Sequence, residues 1–428
     1  MATLSATDAP GRIATLDILR GVAVMGILAM NIVAFALPIQ AYFSPDALGP
    51  ADALDRLIYA LNFVFIDGKM RGLFSFLFGA SMLLIIDRAE ASGESAESVT
   101  YRRLAWLLLF GCIHFYLIWF GDILVGYALA GMVAFLFRNQ SIRALLAWGV
   151  VLIVLQTLMT ALSAQHAQEL AAAVAGANPT ADAIQAWDNF AGEFEALRPG
   201  ELQAIAALHL GPWTGLVREQ VTEHLSDPLI FSLFFGPETI AYMLLGMAGL
   251  RTGFLTGEWS DRTRRRIALV CLGVGIPAYA AICWMLFADG FSVVGIFTWY
   301  MTATVPFRPL MVFAYAALII LATSGGGWLV DRISAAGRVA FTNYLGTSIV
   351  MTGLFYGWGL GLYGALGRAE LWLVVIAMWV VMLAWSKPWL DRFRYGPFEW
   401  LWRSLARWEL QPMRKKPPRA RLESGSAA

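Results

Sequence analysis

Two arginines in this chain each stand eleven positions before a lone polar residue in an apolar run: Arg20 before Asn31, and Arg103 before His114. Eleven residues are close to three α-helical turns, so each pair falls on one helix face, with the polar member roughly 16 Å beyond its arginine. If both arginines mark one membrane surface, the amide and the imidazole reach the same depth, near mid-bilayer. Polar groups there are costly and usually mark function. An imidazole exchanges protons near neutral pH, which suits a base, an acid or an acyl acceptor. An amide N–H suits a developing oxyanion. The structural alternatives are a neutral histidine bonded to a carbonyl and an asparagine joining two helices.

Four further positions carry charge into apolar surroundings. Asp122 follows His114 by eight residues in WFGDIL. Along one helix that is about 12 Å, which predicts against a direct His–Asp pair and favours a cap on the next helix. Glu238 follows Pro237 and precedes Arg251 by thirteen residues, so it lies roughly 19 Å from that end and needs a partner to stay ionised. Arg308, between Pro306 and Pro309, falls at a similar depth. A Glu238–Arg308 pair is therefore expected, with an interfacial snorkelling arginine as the alternative. Asp17 and Arg20 are spaced for a local ion pair. Arg338, Asn343 and Thr347 form a polar track in GRVAFTNYLGTS. Arg20, Arg102, Arg103 and Arg338 together make a basic rim fit for an anionic cofactor such as a coenzyme A phosphate. Ordinary positive-inside anchoring would leave the same pattern.

Helices long enough to cross a bilayer must position these residues. The 428 residues are 59% apolar and only 14% charged, against about a quarter charged in soluble domains. The apolar runs are too long, and lack the alternation, for an outer-membrane barrel. The pattern predicts an all-α, polytopic transmembrane bundle of about ten spans. They fall near 18–38, 70–87, 103–120, 122–137, 143–163, 229–251, 267–288, 301–323, 339–360 and 370–387. The stretch 56–66 reads as an interfacial or re-entrant piece, and the polar first ten residues argue against a cleavable signal. With the N-terminus in the cytoplasm, only Arg56, Lys69, Arg71, Arg198, Arg218, Arg308 and Arg368 of the 31 Lys and Arg fall at the outer side. Both termini are thus expected inside. One transmembrane domain covers 1–410, with an acidic extracytoplasmic insertion at 164–228, and a basic disordered cytoplasmic tail covers 411–428. Cys112, Cys271 and Cys283 make no metal or disulfide pattern and read as packing residues.

Nucleotide-loop, dinucleotide, zinc-protease and hydrolase-elbow motifs do not occur, and no basic cluster suggests nucleic-acid binding. No metal is expected. Partners are the lipid bilayer, a small-molecule substrate and, from Trp and small residues on helix faces, a second copy in a homodimer.

The blocks LDILRGVAVMGILAMNI, FSFLFGASM, LLFGCIHFYLIWFGDILVGYA, GRVAFTNYLGTSIVMTGLFYGWGLGLYG and GPFEWLWR resemble the YeiB-like family of bacterial membrane proteins, a domain of unknown function. The resemblance implies a multi-pass protein of the bacterial cytoplasmic (inner) membrane. Wider relatives look like transmembrane acyltransferases: the acyltransferase-three family and heparan-alpha-glucosaminide N-acetyltransferase, which carry acyl groups from cytoplasmic acyl-CoA to a sugar across the membrane. The acyltransferase-three signature is an arginine, ten residues and a histidine on the first helix. Here the spacing is kept from Arg20, but Asn31 stands in the histidine's place, so His114 is the expected substitute. On this reading His114 is base or acyl carrier, Asn31 the oxyanion donor, and Asp122 and Glu238 flank an acceptor hydroxyl or amine. Arg20, Arg103, Arg338 and Asn343 hold acyl-CoA, and Arg308 and Asp17 contact substrate. The alternatives are a proton-coupled transporter or exporter using the same polar cluster, and a non-catalytic scaffold.

Overall fold

The structure is a computed structural model that describes residues 13–415. Among the described residues the chain is helical, with two isolated β-bridges, Ala47–Gly49 and Phe393–Arg414. The helix Gly236–Arg251 is the centre of the bundle: from Glu238 to Leu250 every residue but Ile240 is buried. It packs against Lys69–Ala91 on one side and Ile142–Val174 on another. Two glycines allow the first contact. A methyl built on Gly79 would lie 2.0 Å from the Met243 carbonyl oxygen, and one on Gly246 would lie 1.8 Å from that of Phe76. Gly21 against Ile333 and Gly337 against Asp17 set Ala14–Ala36 on Trp328–Arg338 in the same way. Apolar attraction cannot join helices that already sit in hydrocarbon, so close backbone approach is what holds such pairs.

Gly246→Ala is therefore expected to lower the Tm of the purified protein and to broaden its size-exclusion peak, an overpacking cost of about 1–3 kcal/mol or more. Gly273→Ala, with nothing within 4 Å of the added carbon, should leave both unchanged.

The periphery is apolar and uncovered. Val150, Leu158 and Leu162 on Ile142–Val174, Leu269, Val270 and Trp284 on Asp261–Asp289, and Leu373 and Val380 on Arg368–Arg392 are all exposed. Apolar surface this extensive belongs against lipid. Among the described residues five stretches are long and apolar enough to cross a membrane: Ala14–Ala36, Ala53–Ala91, Ile142–Val174, Asp261–Asp289 and Arg368–Arg392. Two bent pairs raise the number to seven: Asp227–Phe234 with Gly236–Arg251 at 58°, and Val293–Ala303 with Arg308–Thr323 at 52°.

The other expected spans are helical but short. Leu124–Phe135 has 12 residues and Ala340–Phe355 has 16, or about 18 and 24 Å of helix against a hydrocarbon core of about 30 Å. Ala96–Leu117 begins with a charged turn holding Glu97, Arg102 and Arg103. The expected piece at 56–66 is the helix Ala53–Phe65, which runs on into Lys69–Ala91.

The insertion at 164–228 is built from the end of Ile142–Val174 and the helices Ala181–Ala191, Pro199–His209 and Trp213–Thr222. The expected disorder from 411 is corrected for 411–415. Arg394 N donates to the Met413 carbonyl at 2.9 Å, Lys415 N to that of Arg392 at 3.2 Å, and Trp400 Nε1 to that of Gln411 at 2.6 Å. These bonds fasten the segment beside the helix Pro397–Arg407. The rest of the tail lies outside the described residues.

Candidate functional site

A cavity of about 510 Å³ opens among the basic ends of the helices. Its mouth carries Arg20, Arg88, Arg103, Arg338, Arg394 and Arg403, with Asp17 and Glu399 between them. Its body is apolar, built from Phe74, Phe78, Met82, Leu104, Leu107 and Leu124. Arg20 reaches Asp17 at 3.2 Å and the Ser81 hydroxyl at 2.6 Å, realising the expected i,i+3 pair. Arg103 lies over the Trp402 ring, 4.2 Å from its centroid. Helix Pro397–Arg407 supplies Trp402 and Arg403, and Glu399 pins it by accepting from the Phe341 N–H at 2.7 Å and the Thr342 N–H at 3.1 Å. Burial pushes the Glu399 carboxyl up, and the bonds from Thr342 and Phe341 oppose that shift. An apolar bore with a rim of fixed cations suits an amphiphile with an anionic head.

Ile123, Tyr127 and Tyr344 also line the cavity. The Tyr344 ring packs 5.2 Å from the His114 ring, centroid to centroid, and its hydroxyl accepts from Ile123 N at 3.3 Å. His114 Nδ1 is 2.7 Å from Asp122 Oδ2, and these side chains are 0% and 1% exposed. The expectation against a direct His–Asp pair is thus overturned. It measured eight residues along one helix, but the helix ends at Leu117 and the chain doubles back, with both Ile118 N and Trp119 N bonded to the His114 carbonyl. Gly111 permits the tight return, because a methyl there would meet Val125 N at 2.6 Å and Asp122 Oδ1 at 3.1 Å. Asp122 still caps as expected: its Oδ1 accepts from Val125 N at 2.8 Å.

A carboxylate only accepts hydrogen bonds, so Nδ1 carries the imidazole proton. His114 Nε2 is buried with no hydrogen-bond partner. The bonding pattern is that of a base held in one tautomer by an acid, with its working nitrogen free.

Glu238 forms the expected pair with Arg308, whose Nη1 lies 2.5 and 2.7 Å from its two oxygens. The sequence reading missed the second partner: Arg71 Nη2 donates to Glu238 Oε2 at 2.7 Å. Tyr127 joins this network to the cavity wall, its hydroxyl meeting Ser75 Oγ at 3.0 Å and the Arg71 carbonyl at 3.2 Å.

Two expected site residues stand elsewhere. Neither Asn31 nor His114 lines the cavity, so the shared hollow expected between them is not formed. The buried Asn31 lies one turn before Phe35, which stacks on Trp119 at 3.7 Å, and the Trp119 ring centroid is 6.3 Å from that of His114. Asn343 is committed to packing: it donates to the Ala336 carbonyl at 3.0 Å and accepts from Trp385 Nε1 at 2.9 Å.

Residues 250–409 match the family described as "Protein of unknown function (DUF418)". The chain is 34% identical to the uncharacterized protein YxaH of Bacillus subtilis, over 97% of this chain and 99% of the relative. It is 32% identical to the uncharacterized protein YeiB of Escherichia coli, over 91% and 95%. The chain belongs to the YeiB-like family. No solved structure matches it. Within this YeiB-like chain the family match spans the mouth residues Arg338, Arg394, Glu399 and Arg403, the lining residue Tyr344, and Arg308. His114, Asp122 and Glu238 precede it.

Proposed function

We propose that this protein is a membrane-embedded acyltransferase that moves an acyl group from acyl-CoA to a hydroxyl or amine acceptor on a sugar or other cell-envelope molecule. One observation carries the reading: an arginine-rimmed apolar cavity is lined by Tyr344, against whose ring packs the histidine of a His–Asp pair with an unpartnered Nε2. The coenzyme phosphates sit at the arginines, where guanidinium groups bind phosphate in paired hydrogen bonds. The acyl-pantetheine arm follows the apolar body inward. Movement of the Tyr344 side chain brings the thioester to His114.

His114 Nε2 then takes the proton of the acceptor hydroxyl or amine as its oxygen or nitrogen attacks the thioester carbonyl. The carbon–sulfur bond breaks, and the thiolate recovers a proton from the imidazolium to leave as the free thiol. Asp122 holds Nδ1–H and stabilises the imidazolium. Asn31 has no part in this scheme, since it reaches neither the cavity nor the pair. On this reading the cavity mouth and both termini face the cytoplasm, an orientation that the charge asymmetry of the loops supports.

Incubation of the nanodisc-reconstituted protein with labelled acetyl-CoA and a panel of sugars and amines tests this. The expected result is saturable binding and acceptor-dependent release of the coenzyme thiol. Arg103→Gln should raise KM for the thioester by on the order of tenfold, the loss of one charged contact, with kcat little changed. Absence of thioester binding at millimolar concentration would end the reading.

A proton-coupled transporter is the second reading. The helix breaks at Phe235 and at 304–307 stand beside Glu238 and Arg308, and broken helices with charges at the break are common in substrate-moving folds. Uptake driven by a proton gradient, without covalent product, would favour it.

A further inference from the structure

The helix Lys69–Ala91 runs from Lys69 and Arg71 to Arg88, and Arg88 is at the cavity mouth. Seventeen residues separate Arg71 from Arg88, roughly 25 Å of helix. The cluster around Arg71 therefore lies about 25 Å along that helix from the mouth. Three helices begin in it: Lys69–Ala91, Gly236–Arg251 and Arg308–Thr323. Helix N-termini favour negative charge, yet two of the three open with cations, Lys69 and Arg71 on one and Arg308 on the other.

Glu238 is the one carboxylate bonded to both guanidiniums. Asp67 accepts from the hydroxyls of Tyr42, at 2.6 Å, and Tyr300. Lys69 is fully buried, with its ammonium bonded to the Phe63 carbonyl and lying 3.2 Å from the Tyr279 ring centroid. Arg71 and Arg308 thus share the single carboxylate of Glu238, while Asp67 is engaged by tyrosine hydroxyls. Two guanidiniums held by one carboxylate at helix N-termini favour a further anion.

A second observation points to the ligand independently. Gln156, 1% exposed, uses its Oε1 to accept the Glu238 N–H at 3.3 Å, while its Nε2 is buried with no hydrogen-bond partner. An unmade amide donor beside an excess of guanidinium charge is a vacancy of one chemical kind, an acceptor with negative charge. Gly68, at φ +70°, makes room for the Arg308 side chain, since an added methyl would come within 2.5 Å of its Nε, and that Nε is itself buried with no hydrogen-bond partner. Access comes past Arg71, whose side chain is 20% exposed and lies beside the Phe235 ring.

We infer that Arg71, Arg308 and Gln156 form a binding site for a single oxyanion group, a carboxylate or a phosphate, entered past Arg71 rather than through the arginine-rimmed cavity. The site goes beyond the proposed acyl transfer and stands without it. If that reaction occurs, the bound group is an anionic substituent of the acceptor.

The test is thermal unfolding of the purified full-length protein in sodium phosphate and in sodium acetate, each against sodium chloride at equal ionic strength. A saturable upward shift in Tm with at least one of the two is expected. The concentration needed should rise on the order of tenfold or more in Arg71→Gln and in Gln156→Leu, the loss of a charged and of a buried donor. It should be unchanged in Arg103→Gln, at the cavity mouth. The inference is overturned if neither anion gives a saturable shift. It is equally overturned if the shift persists in both Arg71→Gln and Gln156→Leu, or if Arg103→Gln removes it and so places the anion in the cavity. Because no acyl transfer is measured, failure of the enzymatic reading leaves this result intact, and the reverse also holds.

Discussion

His114→Ala is expected to lower acyl transfer from labelled acyl-CoA by about 10³-fold or more, with the Tm and thioester affinity of the reconstituted protein close to wild type. The size follows from the imidazole, whose Nε2 lacks a partner and whose ring packs on Tyr344 of the cavity lining; loss of a general base costs about 10²–10⁴. Asp122→Asn should fall nearly as far, because an amide at 2.7 Å from Nδ1 can donate as well as accept and so favours the wrong tautomer. Tyr344→Phe should retain most of the rate, since its ring lines the cavity and its hydroxyl makes only long bonds, at 3.3 and 3.4 Å. Wild-type turnover in His114→Ala would remove the imidazole from the mechanism.

Glu238→Leu is expected to be the most destabilising single substitution in the buried polar set. Glu238 is 1% exposed and accepts from two guanidiniums. Its loss leaves Arg308 buried without its carboxylate, at a cost of about 3–5 kcal/mol. Thermal unfolding in detergent should show a large fall in Tm. Glu238→Leu combined with Arg308→Leu should recover part of it, since Arg71 alone is close enough to the surface to keep its hydration. A Glu238→Leu protein as stable as wild type would mean that the network carries no structural load.

Much of this architecture is legible in the sequence because it is encoded locally. Apolar runs give the helices, the i,i+3 spacing gives the Asp17–Arg20 pair, and prolines at 237, 306 and 309 mark helix starts that bring Glu238 to Arg308. What the sequence hides is set by backbone path and by contacts distant in the chain. The His114–Asp122 bond depends on a helix ending three residues past the histidine. Its local traces are the cap at Asp122 and the Gly111 opposite the returning chain, and a glycine in an apolar helix has many other readings.

Arg71 reads as an outer loop charge until its partner, 167 positions away, is known. The mouth residues Glu399 and Arg403 sit on, and Arg394 just before, an amphipathic helix whose docking on Ala96–Leu117 and Ala340–Phe355 no spacing rule foretells. Asn31 erred the other way. Equal depth with His114 is what two straight helices would give, but depth does not specify rotation: both helices pack on Lys69–Ala91, yet Asn31 and His114 share no cavity.

The central claim is that the arginine-rimmed cavity receives an acyl thioester and delivers it to the wall shared with His114. Photo-crosslinking with an acyl-CoA bearing a diazirine on its acyl chain, followed by peptide mapping, measures this directly. The account predicts labelling of the cavity lining around Leu107, Tyr127 and Tyr344, competed by unlabelled acyl-CoA and weakened in Arg103→Gln. Labelling confined to the lipid-facing surface of Ile142–Val174 or Asp261–Asp289, or labelling that excess acyl-CoA does not compete, would contradict it.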